Sequence, residues 1–157
     1  MKQLTSAALV VLALFASAGT AHAQTNLGLY AGFNTTSDDA YIGGNLRSGF
    51  GGNPNLFLYP SVDVYFIEDV TFLIFHGNIG YRFRPQSVSL EPYAGGGVSF
   101  RYVSSNSRGR SDGEVDVNLN AGVVFNRRSA TRPFIELRLL LGETNNTLVQ
   151  GGVLFSL

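Results

Sequence analysis

The chain has 157 residues, one domain's worth, with 45% hydrophobic and 14% charged residues, 19 glycines, and neither Cys nor Trp. Its formal charge is zero, which argues against a nucleic-acid binder with its basic excess. The lack of cysteine excludes disulfides, thiolate chemistry and Cys-held metals, and low charge with abundant aromatics argues against a disordered chain.

The first 23 residues read as a secretory signal peptide. Lys2 supplies the positive start, residues 7–18 form an apolar or small-residue run, and Ala21-His22-Ala23 places small residues at −3 and −1. Cleavage is expected between Ala23 and Gln24. The run is too short for a spanning helix, which needs about 20 residues. The domain expected after it covers 24–157.

That mature segment shows period-two alternation broken by turn clusters, with no convincing helical period. In run 26–34, Leu27, Leu29, Ala31 and Phe33 share a face opposite Gly28, Tyr30 and Gly32. In run 40–50, Ile42, Leu46 and Phe50 oppose Tyr41, Asn45 and Arg47. Run 56–67 sets Leu58, Val62, Val64 and Phe66 against Tyr59, Ser61, Asp63 and Tyr65, and Pro60 within it suggests a bulge. Run 70–84 sets Leu73, Phe75, Ile79 and Tyr81 against His76, Asn78 and Arg82. Run 89–103 sets Ala94, Val98 and Phe100 against Glu91, Tyr93, Ser99 and Arg101. The longest connection, 104–113, follows. Run 114–126 alternates Val115, Val117, Leu119, Ala121 and Val123 with Glu114, Asp116, Asn118 and Asn120. Run 133–142 sets Ile135, Leu137 and Leu139 against Glu136 and Arg138, and a last run ends the chain with Val149, Val153, Phe155 and Leu157 on one face.

Eight consecutive strands, each long enough to cross a bilayer at a tilt, predict an all-β fold: an eight-stranded antiparallel up-and-down transmembrane β-barrel behind a cleavable signal peptide. Alternation alone leaves a second arrangement open, a secreted soluble lipocalin-like barrel binding a small apolar ligand. Three features favour the membrane arrangement. The polar face carries the small residues Gly28, Gly32, Gly43, Gly95, Gly97 and Gly122, which suit a narrow lumen. Eight of eleven mature Phe lie on the apolar face and five of seven Tyr on the polar one. Five arginines (Arg47, Arg82, Arg84, Arg101, Arg138) balance five acids (Asp63, Glu91, Glu114, Asp116, Glu136) on the polar face, as a closed interior requires. Of these, Arg47, Asp63, Arg82, Glu91, Arg101, Asp116, Glu136 and Arg138 form the candidate lumen ion-pair network.

Glu91-Pro92-Tyr93-Ala94-Gly95-Gly96-Gly97-Val98 and the closing Gly151-Gly152-Val153-Leu154-Phe155-Ser156-Leu157 resemble the small OmpA/OmpX-type outer-membrane β-barrel family over essentially the whole mature chain. The resemblance implies a Gram-negative outer membrane, both termini in the periplasm, and a non-enzymatic monomer. It implies outer-membrane lipid and lipopolysaccharide as surroundings, and a barrel-insertion machinery that reads Val153, Phe155 and Leu157. The family usually ends in Phe, whereas this chain ends in Leu157. The outer loops are then short. Arg108 and Arg110 in the third could meet lipopolysaccharide phosphates or belong to an ordinary solvated loop, and Arg127, Arg128 and Arg132 are expected at the periplasmic rim near lipid headgroups or, equally, in a solubilising turn.

Some barrels of this size modify lipid A and need a His, a Ser nucleophile and an acid. His76 is the only mature histidine and has no Ser two positions on, where the deacylase type carries one, so it reads as a hydrogen-bonded lumen residue. Asp112, Glu114 and Asp116 alternate without forming a calcium-loop motif. Gly95–Gly97 is no phosphate loop, since no helix follows it. No cofactor, metal or nucleic acid is expected.

Overall fold

A computed structural model describes residues 25–50, 52–67, 70–84, 89–105, 111–126 and 128–157; the expected signal segment lies outside them. Eight strands follow in order: β1 (Asn26–Asn34), β2 (Asp39–Phe50), β3 (Asn53–Ile67), β4 (Val70–Arg82), β5 (Glu91–Ser105), β6 (Ser111–Val124), β7 (Thr131–Leu141) and β8 (Asn146–Ser156). Each pairs antiparallel with its sequence neighbour. β8 returns to β1, from Asn26↔Ser156 to Asn34↔Leu148, which closes the barrel and leaves no edge. Among the described residues, no helix is long and apolar enough to cross a membrane.

Local chemistry sets the turns. Asp38 adopts φ 59° between β1 and β2, a left-handed position that Asp tolerates, and its N–H donates to Asn34 O at 2.9 Å. Gly52, at φ 70°, serves the β2–β3 turn. The irregularity expected at Pro60 takes another form. Pro60 stays in register with Gly77 on β4, while the β2–β3 ladder breaks between Asn45↔Ser61 and Ser48↔Leu58, where proline has no N–H to give. The register shift itself falls at Gly49/Phe50. Beyond the other end, β5 and β6 run further than their apolar pattern. The pairs Tyr102↔Gly113, Val103↔Asp112 and Ser104↔Ser111 extend the hairpin, because backbone pairing needs no apolar side chain. The connection shrinks to 106–110, and it lies with Arg108 and Arg110 outside the described residues.

Alternation now acquires a direction. Leu29 (55% exposed), Ile42, Ile79, Val98, Val115 (68%), Leu119, Ile135 and Val149 point away from the barrel axis. Arg47, Asp63, Asn118, Glu136 and Arg138, none more than 2% exposed, point toward it. A soluble barrel needs the reverse. The lipocalin-like alternative is therefore overturned: the apolar band belongs in lipid, where every backbone group must be paired within the sheet. Phe33, Phe83, Phe125 and Phe155 lie exposed at or near strand ends, the level of an aromatic girdle.

The interior is less polar than the sequence suggests. Phe57, Ile74, Val124, Phe134, Leu140, Leu148 and Leu154 are buried there beside Tyr30, Tyr41, Tyr59, Tyr65 and Tyr93. Glycines make room for the rings. A Cβ on Gly32 would strike the Tyr41 ring, one on Gly43 the Tyr30 ring, and one on Gly80 the Phe57 ring. Small inward residues opposite large ones let eight strands close round a filled core.

Candidate functional site

The centre of the barrel is a chain of charged and polar groups drawn from six strands. Arg138 on β7 donates through Nη2 to Glu136 Oε1 at 2.8 Å and through Nη1 to Asp63 Oδ2 at 3.4 Å. Asp63 Oδ1 also accepts from Tyr30 Oη at 2.5 Å. Glu136 Oε2 accepts from Tyr93 Oη at 2.7 Å and lies 3.6 Å from Arg47 Nη2, while its Oε1 accepts from Gln150 Nε2 at 2.9 Å. Gln150 in turn accepts from Tyr41. Two guanidiniums thus meet two carboxylates, with phenols and an amide filling remaining lone pairs. That matches what a buried ion pair needs to offset its desolvation. Arg47 is further held among rings, 4.6 Å from the centroids of both Tyr93 and Phe134.

His76 extends this centre. Its Nε2 lies 2.9 Å from Asp63 Oδ2 and its Nδ1 2.7 Å from Ser99 Oγ, whose oxygen accepts from Asn118 Nδ2 at 2.8 Å. A carboxylate only accepts, so Nε2 carries a proton; in the neutral ring Nδ1 then accepts the Ser99 hydroxyl. Asp63, His76 and Ser99 form an acid–histidine–serine chain that sequence spacing missed, because it depends on register: His76 pairs with Ser99 and Asp63 with Ile74. All three are sealed in the interior, none more than 3% exposed. A nucleophile must come within about 3–3.5 Å of the atom it attacks, and the Ser99 hydroxyl is enclosed by His76 and Asn118.

The eight predicted network residues separate into three clusters. Arg47, Asp63, Glu136 and Arg138 form the centre. At the end bearing the termini, Glu91 lies 3.8 Å from Arg82 Nε and 3.4 Å from Arg84 Nε. At the opposite end, Arg101 bridges Glu114 and Asp116, each at 2.8 Å. That bridge occupies one oxygen each of Glu114 and Asp116. The Asp112 side chain is outside the described residues.

Arg132 requires a correction. It faces inward, not toward lipid, because inward residues on β7 run Arg132, Phe134, Glu136, Arg138 and Leu140. Its Nη2 donates to Asn26 Oδ1 and, at 3.5 Å, to Ser156 Oγ. Arg128 is exposed in the turn, and Arg127 lies outside the described residues. Val153, Phe155 and Leu157 lie on the outer, lipid-facing side of β8 and the chain end, with Val153 opposite Leu29 and Phe155 opposite Leu27.

No family model matches the chain, and no curated protein sequence does. Solved structures do. The N-terminal β-barrel domain of Pseudomonas aeruginosa OprF is 18% identical and superposes with a TM-score of 0.71, covering 87% of this chain and 100% of that one. Neisserial surface protein A is 13% identical with a TM-score of 0.61, covering 86% of this chain and 96% of that one. The outer membrane enzyme PagL, 13% identical, reaches 0.51 over 84% of this chain and 98% of its own. At these identities the likeness concerns the fold. The chain has the fold of the small eight-stranded outer-membrane β-barrels, the group its sequence resembles.

Proposed function

We propose that this protein is an integral component of a bacterial outer membrane that acts as a sealed, non-enzymatic barrel with a structural or interaction role. The observation that carries the reading is Arg138, 0% exposed and held between Asp63 and Glu136 across the lumen. A conducting pore would need that ion pair opened. The Asp63–His76–Ser99 chain is part of the same packing and does no chemistry on lipid. The outward apolar band meets outer-membrane lipid, with lipopolysaccharide in the outer leaflet. Val153, Phe155 and Leu157 serve the barrel-insertion machinery, and the protein works as a monomer. The described outer turns, 35–38 and 142–145, are too short to build a binding arm, which favours a role seated in the membrane.

The test is conductance of the folded mature protein in planar lipid bilayers. The reading predicts a baseline indistinguishable from protein-free bilayers. Stable unitary conductance steps from the wild-type protein would overturn the sealed lumen.

A further inference from the structure

Charge is distributed along the barrel axis in a way the ion pairs do not require. At the end carrying both termini, the described residues hold Arg82, Arg84, Arg128 and Arg132 against Glu91 as the one side-chain acid; at the other end Asp38, Asp39, Glu114, Asp116 and Glu143 face Arg101. The centre, with Arg47 and Arg138 against Asp63 and Glu136, is neutral. The basic end is also undersupplied with partners. Glu91 has two oxygens, and both are engaged, Oε1 with Arg82 and Oε2 with Arg84. Arg132 sits inside the same mouth, 6% exposed. Its hydrogen bonds go to an amide oxygen and a hydroxyl, and its Nε has no partner. No carboxylate among the described residues lies within ion-pair distance of it.

A guanidinium keeps its proton under any physiological condition. A nearly buried one without an anion therefore bears an uncompensated desolvation cost. The planar fork of arginine matches a tetrahedral oxyanion in paired N–H···O bonds, which lysine cannot reproduce. We propose that the mouth at the terminus-bearing end is a phosphate-binding site, with Arg132 as its inner contact and Arg82 and Arg84 at its rim. Two sources supply this chemistry: the headgroup of a phospholipid in the adjoining leaflet, or a free phosphate or phosphorylated solute. Naming that end periplasmic rests on the proposed outer-membrane reading; the site rests on the arginine geometry alone.

The test uses the mature barrel folded in zwitterionic micelles and in phosphatidylcholine vesicles with or without phosphatidylglycerol, with folding checked by gel mobility. Calorimetric titration with inorganic phosphate is expected to give saturable binding that Arg132→Gln weakens at least tenfold and Arg101→Gln, at the opposite end, leaves unchanged. If free phosphate does not bind but phosphatidylglycerol raises the unfolding midpoint of wild type more than that of Arg132→Gln, the site holds and its source is lipid. Absence of both effects overturns the proposal, as does an equal loss in Arg101→Gln, which would mean diffuse attraction. Should Arg132→Gln fail to fold, Arg84→Gln carries the comparison, since that side chain is 38% exposed and its removal leaves the interior packed. Phosphate binding and bilayer conductance are separate readouts, so either reading can fail alone.

Discussion

Replacing Arg138 with methionine probes the interior most sharply. Methionine retains much of the volume and removes the charge, so the cavity contribution is small and the electrostatic one dominates. The loss leaves two buried carboxylates, Asp63 and Glu136, with Arg47 as the sole remaining guanidinium, 3.6 Å from Glu136. Asp63 keeps only His76 and Tyr30 as donors. Removing one partner of a buried pair costs about 3–5 kcal/mol, a large share of the roughly 5–15 kcal/mol that holds a domain of this size. Asp63→Asn in the same chain removes the orphaned charge. The double variant is therefore expected to be more stable than the sum of the two single losses predicts, by up to about 3 kcal/mol of coupling. Urea unfolding in lipid vesicles measures this, followed by the mobility of the unheated band and by tyrosine fluorescence, which the absence of Trp leaves unobscured. An Arg138→Met variant within about 0.5 kcal/mol of wild type, the range of an ordinary surface substitution, would refute the reasoning and mean that water fills the lumen.

Three further outcomes follow from other parts of the barrel. Leu119→Arg places a charge on the outer band, where Leu119 is 49% exposed; near the bilayer midplane it is expected to cost about 2–4 kcal/mol in the same unfolding assay, and a negligible loss would deny that this face meets lipid. Gly97→Ala drives a Cβ against the Gly77 carbonyl oxygen and is expected to cost about 1–3 kcal/mol, whereas Gly77→Ala meets nothing within 4 Å and should be near neutral; equal melting of the two variants would contradict the register. Ser99→Ala strips His76 Nδ1 and Asn118 of a partner and should cost about 1–3 kcal/mol, with lipid A unchanged by mass spectrometry in cells overexpressing the wild type or the variant. A lipid A species present with the wild type and absent with Ser99→Ala would make the acid–histidine–serine chain catalytic.

Strand number, order and facing were legible because lipid and lumen impose opposite demands on alternate residues, and 114–126 obeys them almost without exception. Phe57, Phe134, Leu140, Leu148 and Leu154 blurred the pattern. They are apolar on the inner face, where the barrel must be filled as well as neutralised, and composition cannot distinguish that demand from contact with lipid. The charges were legible as an inventory and not as pairs. Arg138 meets Asp63, 75 residues away, and His76 meets Ser99 only through the β4–β5 register. Arg132 was misplaced for a related reason: β7 begins at Thr131, two residues earlier than the apolar pattern suggests, and that start turns Arg132 into the mouth. The end of a hairpin is equally invisible to hydrophobicity, since Ser104 and Ser105 continue pairing after the apolar stripe has stopped.

The inside-out arrangement is tested most directly by folding the mature protein in two solvents, lipid vesicles and plain buffer, and comparing heated with unheated samples by gel electrophoresis. A compact, fast-migrating band that appears only from lipid and slows on heating is the predicted result. A monodisperse folded protein in buffer alone, with no shift on heating, would contradict the account.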